Sequence, residues 1–196
     1  MNWLVLVSFL IWLYVLTVFY RGKLNFFQYL WGSVGLFVFM CIYVQPALTG
    51  ILKQLVTSVV GVIGKATGIS EAYYEYSIIF IPKQSLLSSL SLYIDYECSG
   101  VIEMMAFVSL LAFFQAYEVG QRVIVSIIGC FSIFMFNVIR IVVICAIIYQ
   151  YGSDSYYIAH TVIGRIVFYI LSILLYYYVF TKRQIVKQKI GGFSYE

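Results

Sequence analysis

Charge is scarce in this 196-residue chain. Only 10% of its residues are Asp, Glu, Lys or Arg, against about 25% in an ordinary soluble domain. With 63% hydrophobic residues and a mean hydropathy of +0.98, that shortage excludes a soluble fold and makes this an integral membrane protein. The net charge of +4 is no nucleic-acid footprint, because Lys and Arg gather at the ends of apolar runs instead of forming one basic stripe. Cysteine is sparse too. Cys41, Cys98, Cys130 and Cys145 show neither CxxC nor Cys/His spacing, which argues against a structural zinc site and a dense disulfide scaffold. Cys130 and Cys145 fall inside an apolar run, where a thiol acts as a small hydrophobe. Internal repeats and low-complexity stretches are missing, and there is a single histidine, His160.

What is present is a series of apolar runs. Five read as membrane spans, at 2–20, 24–44, 101–117, 123–149 and 158–180. The expected fold is an all-α polytopic membrane protein of about five transmembrane helices, a single membrane domain over 1–196. The first run has no basic residue before it and no small-residue cleavage site after it, so it reads as an uncleaved span. The fourth is long enough that it must tilt, or break near Asn137. Arg21, Lys23, Arg122, Lys182, Arg183, Lys187 and Lys189 all fall on one side of this arrangement. The positive-inside rule then puts the N-terminus outside and the C-terminus in the cytoplasm.

The only sizeable outer segment is 45–97. Its first part carries apolar residues at helical spacing, Leu48, Ile51, Leu52, Leu55, Val56, Val59 and Val60, and predicts an amphipathic helix on the outer surface. Two β-type runs follow, Tyr76–Ile81 and Leu90–Tyr96, predicting a short hairpin. Pro82 marks an edge position or the start of a turn.

Polar groups are costly in hydrocarbon, so those inside or beside these runs are candidates for function. Helical rise places Arg140 roughly 27 Å, Cys98 roughly 30 Å and His160 roughly 31 Å above the inner boundary. With a hydrocarbon core about 30 Å thick, all three reach its outer edge. Each suits a part in acyl transfer. Cys98 opens the third span, where free backbone N–H groups favour a thiolate. His160 suits proton shuttling near neutrality. Arg140 keeps its charge and can hydrogen-bond an oxyanion. Asn137, three residues before Arg140, is placed to orient it, and Gly100 leaves room for a substrate backbone. Asp95 and Glu97 oppose a thiolate, since neighbouring carboxylates raise a thiol pKa. Plainer readings stand beside these: Cys98 idle or paired with Cys41, His160 an interfacial residue beside Tyr156 and Tyr157, and Glu103 paired with Arg140 or with Arg165.

At these residues the chain resembles the exosortase/archaeosortase family. The resemblance rests on Glu97-Cys98-Ser99-Gly100 before one span, Asn137-Val138-Ile139-Arg140 late in the next, and His160 with Gly164 at the head of the last. It covers about residues 50–180 and is similar to the compact form found in Gram-positive bacteria. It implies a cysteine protease and transpeptidase in the cell membrane, with Cys98, Arg140 and His160 as catalytic residues. Its partner would be a membrane-anchored protein ending in a sorting signal: a short motif, a transmembrane helix and a basic tail. A thioester on Cys98 would pass to an extracytoplasmic acceptor, of lipid or glycan class, with no cofactor and no metal. The competing function is a non-enzymatic membrane subunit assisting polysaccharide or protein export, in which Glu103, Arg140 and Arg165 form an ion-pair network.

Overall fold

The computed structural model describes residues 3–82, 90–94 and 98–186. Asp95, Glu97, Lys83, Lys187 and Lys189, which entered the sequence reading, lie outside them. Helices dominate, as the apolar runs require, because a chain without water must satisfy its backbone polar groups internally. The helices are α1 (Trp3–Arg21), α2 (Asn25–Tyr43), α3 (Gln45–Thr67), α4 (Val101–Phe113), α5 (Val119–Tyr151) and α6 (Gly164–Tyr176). α6 forms the middle of a longer helical run, Ser153–Val186. Among the described residues, four helical segments are long and apolar enough to cross a membrane: α2, α3, α5 and that last run. Val5–Arg21 and α4 are shorter apolar helices.

α1 and α2 form a hairpin in which the Trp12 indole N–H donates to the Trp31 carbonyl at 3.1 Å. Small residues on α2 make this possible. A β-carbon on Gly35 would collide with the Trp12 ring, and one on Gly32 would collide with Phe113 of α4. α3 follows α2 almost directly. Pro46 sits in its first turn, where the missing N–H ends the α2 ladder and starts a new helix. α3 ends at Gly68, whose φ of +70° permits the left-handed cap, with the Ile69 N–H bonded back to the Gly64 carbonyl.

Three features depart from the sequence reading. α3, expected as an amphipathic helix on the outer surface, is long and apolar enough to cross a membrane. The hairpin is a three-stranded antiparallel sheet in the order β1 (Glu71–Tyr73), β2 (Ile78–Ile81) and β3 (Leu90–Tyr93). Ile79 pairs with both Ala72 and Leu92, and Pro82 follows the central strand. The third apolar helix stops at Phe113 and not at Tyr117. Arg122 explains the early stop: its guanidinium donates to the carbonyls of Ala112, Phe114 and Tyr117, groups that a helix end leaves without partners. The fourth helix runs unbroken through Asn137 for 33 residues, roughly 50 Å at helical rise.

Two cores result. At the sheet end, Val56 and Val60 of α3 pack with Ile79, Ile81, Leu92 and Ile94, and with Val138, Ile141, Ile144 and Ile148 of α5. Cys98 and Ala159 belong to this cluster. Toward the opposite end, Phe107, Leu111, Ile133 and Phe168 form a second cluster, with Phe107 edge-on to Tyr176 and Phe180. Gly129 makes room for the Phe107 ring. Large apolar side chains such as Ile127, Ile128, Phe131, Ile166, Ile170 and Ile173 face outward, as expected of helices solvated by lipid.

Candidate active site

The chain reaches Cys98 from the sheet and turns into α4 through Ser99 and Gly100. Gly100 has φ of +75°, a conformation that L side chains resist, and that requirement explains the glycine. A β-carbon there would find Asn137 atoms only at ordinary contact distance, 3.6–3.7 Å, so crowding is not the reason. Cys98 therefore precedes α4 and does not lie within its first turn. The Ser99 hydroxyl accepts the Val101 N–H at 3.4 Å, taking up one of the free N–H groups at the helix start.

Three elements converge on Cys98, which is 4% exposed. Its Sγ lies 3.4 Å from His160 Nε2, across 62 residues of sequence. Its carbonyl oxygen accepts a short hydrogen bond from the Asn137 side-chain amide on α5. Asn137 is 1% exposed, and its Oδ1 has no hydrogen-bond partner among the described residues. The expected role for Asn137 was to orient Arg140; its amide holds the backbone at Cys98 instead. Arg140, one turn along, is 6% exposed, with its guanidinium carbon 5.9 Å from the Phe168 ring centroid. Its Nε has no hydrogen-bond partner among the described residues. Arg140 thus lies against an aromatic face, while Arg165 is exposed. Glu103 sits in the first turn of α4, partly buried. None of Cys41, Cys98, Cys130 and Cys145 is in a disulfide.

His160 is carried by a helix of unusual pitch. The stretch Ile158–Ile163 is π-helical, a widened turn that often accompanies functional sites. Gly164 follows it. A β-carbon there would come within 2.7 Å of Ile144 Cδ1, so the glycine lets α5 approach the His160 helix closely. Sequence composition held no signal for the widened turn or for the Asn137–Cys98 bond. Among the described residues, no group of three or more His, Cys, Asp or Glu could hold a metal ion.

The arrangement offers a thiol with an imidazole in reach, a buried amide fixing the adjacent backbone, and a guanidinium donor left open nearby. No match emerges among curated proteins or solved structures. A family model does match, over residues 1–177, and it is that of the transmembrane exosortases. The chain is a multi-pass membrane protein that belongs to the exosortase family.

Proposed function

We propose that this exosortase-family protein is a membrane cysteine transpeptidase, cleaving a C-terminal sorting signal through a thioester on Cys98. The observation that carries the reading is the 3.4 Å approach of His160 Nε2 to Cys98 Sγ, two residues of unlike chemistry brought together from the turn before α4 and from the last helical run. In this mechanism His160 takes the thiol proton as the sulfur attacks the scissile carbonyl, then delivers it to the leaving amine. Asn137 fixes the backbone from which the thiol projects. Arg140 supplies the hydrogen bond to the oxyanion, and its open Nε supports that role. The acyl group then passes to an extracytoplasmic nucleophile. The non-enzymatic alternative draws less support, since it leaves the approach of Cys98 to His160 without a use and Arg165 of its ion-pair network is exposed.

The test is single-turnover acylation of Cys98, read as a mass shift of the Cys98 peptide. The reporter is a soluble domain fused to the C-terminal signal of a protein encoded beside this one. His160→Gln is expected to slow acylation about 100-fold or more and to remove the limb of the pH–rate profile near neutrality. A His160→Gln rate within about threefold of wild type removes His160 from the mechanism.

The same reading sets the topology. On this reading the basic ends of α1 and of the last helical run lie in the cytoplasm, α3 lies along the outer surface without crossing, and the sheet and Cys98 face outside. Reporter fusions at Glu196 are expected to behave as cytoplasmic, and cysteines introduced at Tyr73 or Tyr93, both exposed, are expected to label from outside. An extracellular signal at Glu196 would invert the site.

A further inference from the structure

The turn that carries His160 also carries Tyr156, which nothing above assigns a part in chemistry. Its ring lies 5.5 Å from the imidazole, centroid to centroid, and only 19° from parallel to it. In a regular α-helix, side chains four residues apart are offset by about 40° around the axis, which leaves two flat rings staggered. Between and beyond these two residues the helix widens into the π-helical stretch Ile158–Ile163. A widened turn rotates each residue less, and so carries position 160 back under position 156. The stacking and the helical irregularity are separate observations, and they describe one arrangement.

From this geometry we infer that Tyr156 is a positioning residue, holding the His160 imidazole in the plane from which Nε2 meets Cys98 Sγ. The inference rests on the transpeptidase reading of Cys98 and His160. An imidazole at a helix surface turns about two side-chain bonds, and a proton can move only when ring nitrogen and sulfur are aligned. A parallel ring on one face limits that turning without taking either nitrogen. Tyr156 is 40% exposed, so it adds little to the packed core and its ring is free to serve as a lid over the imidazole. The neighbouring Tyr157, 70% exposed, shows what a purely interfacial tyrosine looks like on the same turn. The ring face carries the effect, and the hydroxyl is not required.

The experiment is acylation of Cys98 by the same reporter, measured across reporter concentrations in Tyr156→Leu, Tyr156→Met, Tyr156→Phe and Cys98→Ala. Displacement of a reacting group by about 1 Å can cost 100-fold, and a loosened ring visits the aligned position part of the time. Leu and Met are therefore expected to slow the saturated rate about tenfold or more, with half-saturation changed less than about twofold. Phe is expected to stay within about threefold of wild type. A lost fold would lower the amount of active protein in all the variants; rescue by Phe alone separates that from misplacement. Two results overturn the inference: wild-type rates in Leu or Met, or a Phe variant as slow as Leu. Either leaves the parent reading intact as long as Cys98→Ala forms no adduct and leaves the reporter uncleaved. Normal processing by Cys98→Ala overturns the parent reading itself.

Discussion

Cys98→Ala and Cys98→Ser are each expected to abolish processing of a sorting-signal reporter while the protein accumulates at near-normal levels. The thiol sits in the apolar cluster of the sheet end, 4% exposed, so its removal is felt in packing as well as in chemistry. Serine keeps nearly the same shape, and its hydroxyl has His160 Nε2 within hydrogen-bond reach, so a buried polar group is not left alone. Folding is therefore retained in the serine variant, and what is lost is nucleophilicity. A thiol yields a useful fraction of thiolate beside a base, whereas a hydroxyl does not. Controls separate reactivity from burial. Cys41 and Cys130 are partly buried, and their alanine variants are expected to keep most activity. Cys145 is 2% exposed in the same cluster as Cys98, so Cys145→Ala is expected to lose stability yet process substrate at a normal rate per folded molecule. Membrane fractions, quantified by tag and assayed for reporter cleavage, check both halves. Full activity in Cys98→Ala ends the enzyme reading.

The helices were legible because hydrocarbon permits so few backbone solutions. Each apolar run became a helix, and their ends shifted by several residues for reasons the runs do not contain. The third run continues apolar through Phe114 and Tyr117, yet the helix stops at Phe113 because Arg122, nine residues on, takes the free carbonyls. α5 begins at Val119, before the charge that seemed to bound it. β1 was missed since three residues, Glu71–Tyr73, carry too little alternation to register; its pairing with β2 is fixed by tertiary position. In the site, residue type was legible and contact was not. Cys98, Asn137, Arg140 and His160 stand out as polar groups in apolar surroundings, which sequence shows directly. That Asn137 would grip the Cys98 carbonyl and Arg140 lie over Phe168 depends on how α5 is rotated against its neighbours. Rotation is set by many small packing choices, among them Gly129 under Phe107 and Gly164 against Ile144, and by a π-helical turn with no compositional mark.

Arg140→Lys is expected to slow Cys98 acylation about 100- to 1,000-fold, the range typical for loss of one oxyanion donor. The protein is expected to accumulate normally. The reasoning starts from an imbalance in the resting site. Arg140 is 6% exposed, and its Nε has no hydrogen-bond partner among the described residues. A buried donor left open costs on the order of 1–3 kcal/mol, and more when the group is charged. The Phe168 ring, 5.9 Å away, offsets part of that cost by attracting the cation to its face. A ring contact leaves the Nε–H unoccupied, so that donor remains available to an oxygen that the substrate brings. Lysine keeps the charge and can still sit near the ring, but a single ammonium lacks the planar pair of N–H bonds. It therefore preserves what stabilises the fold and removes what the reaction uses. Arg140→Ala separates the two further, losing both charge and ring contact, and is expected to lower yield in addition to rate. Phe168→Leu removes the aromatic face alone and is expected to reduce the rate less than either. Measured together as acylation rate per folded molecule, these variants distinguish the two roles. A lysine variant with normal specific activity makes Arg140 a structural cation of the α5–α6 contact.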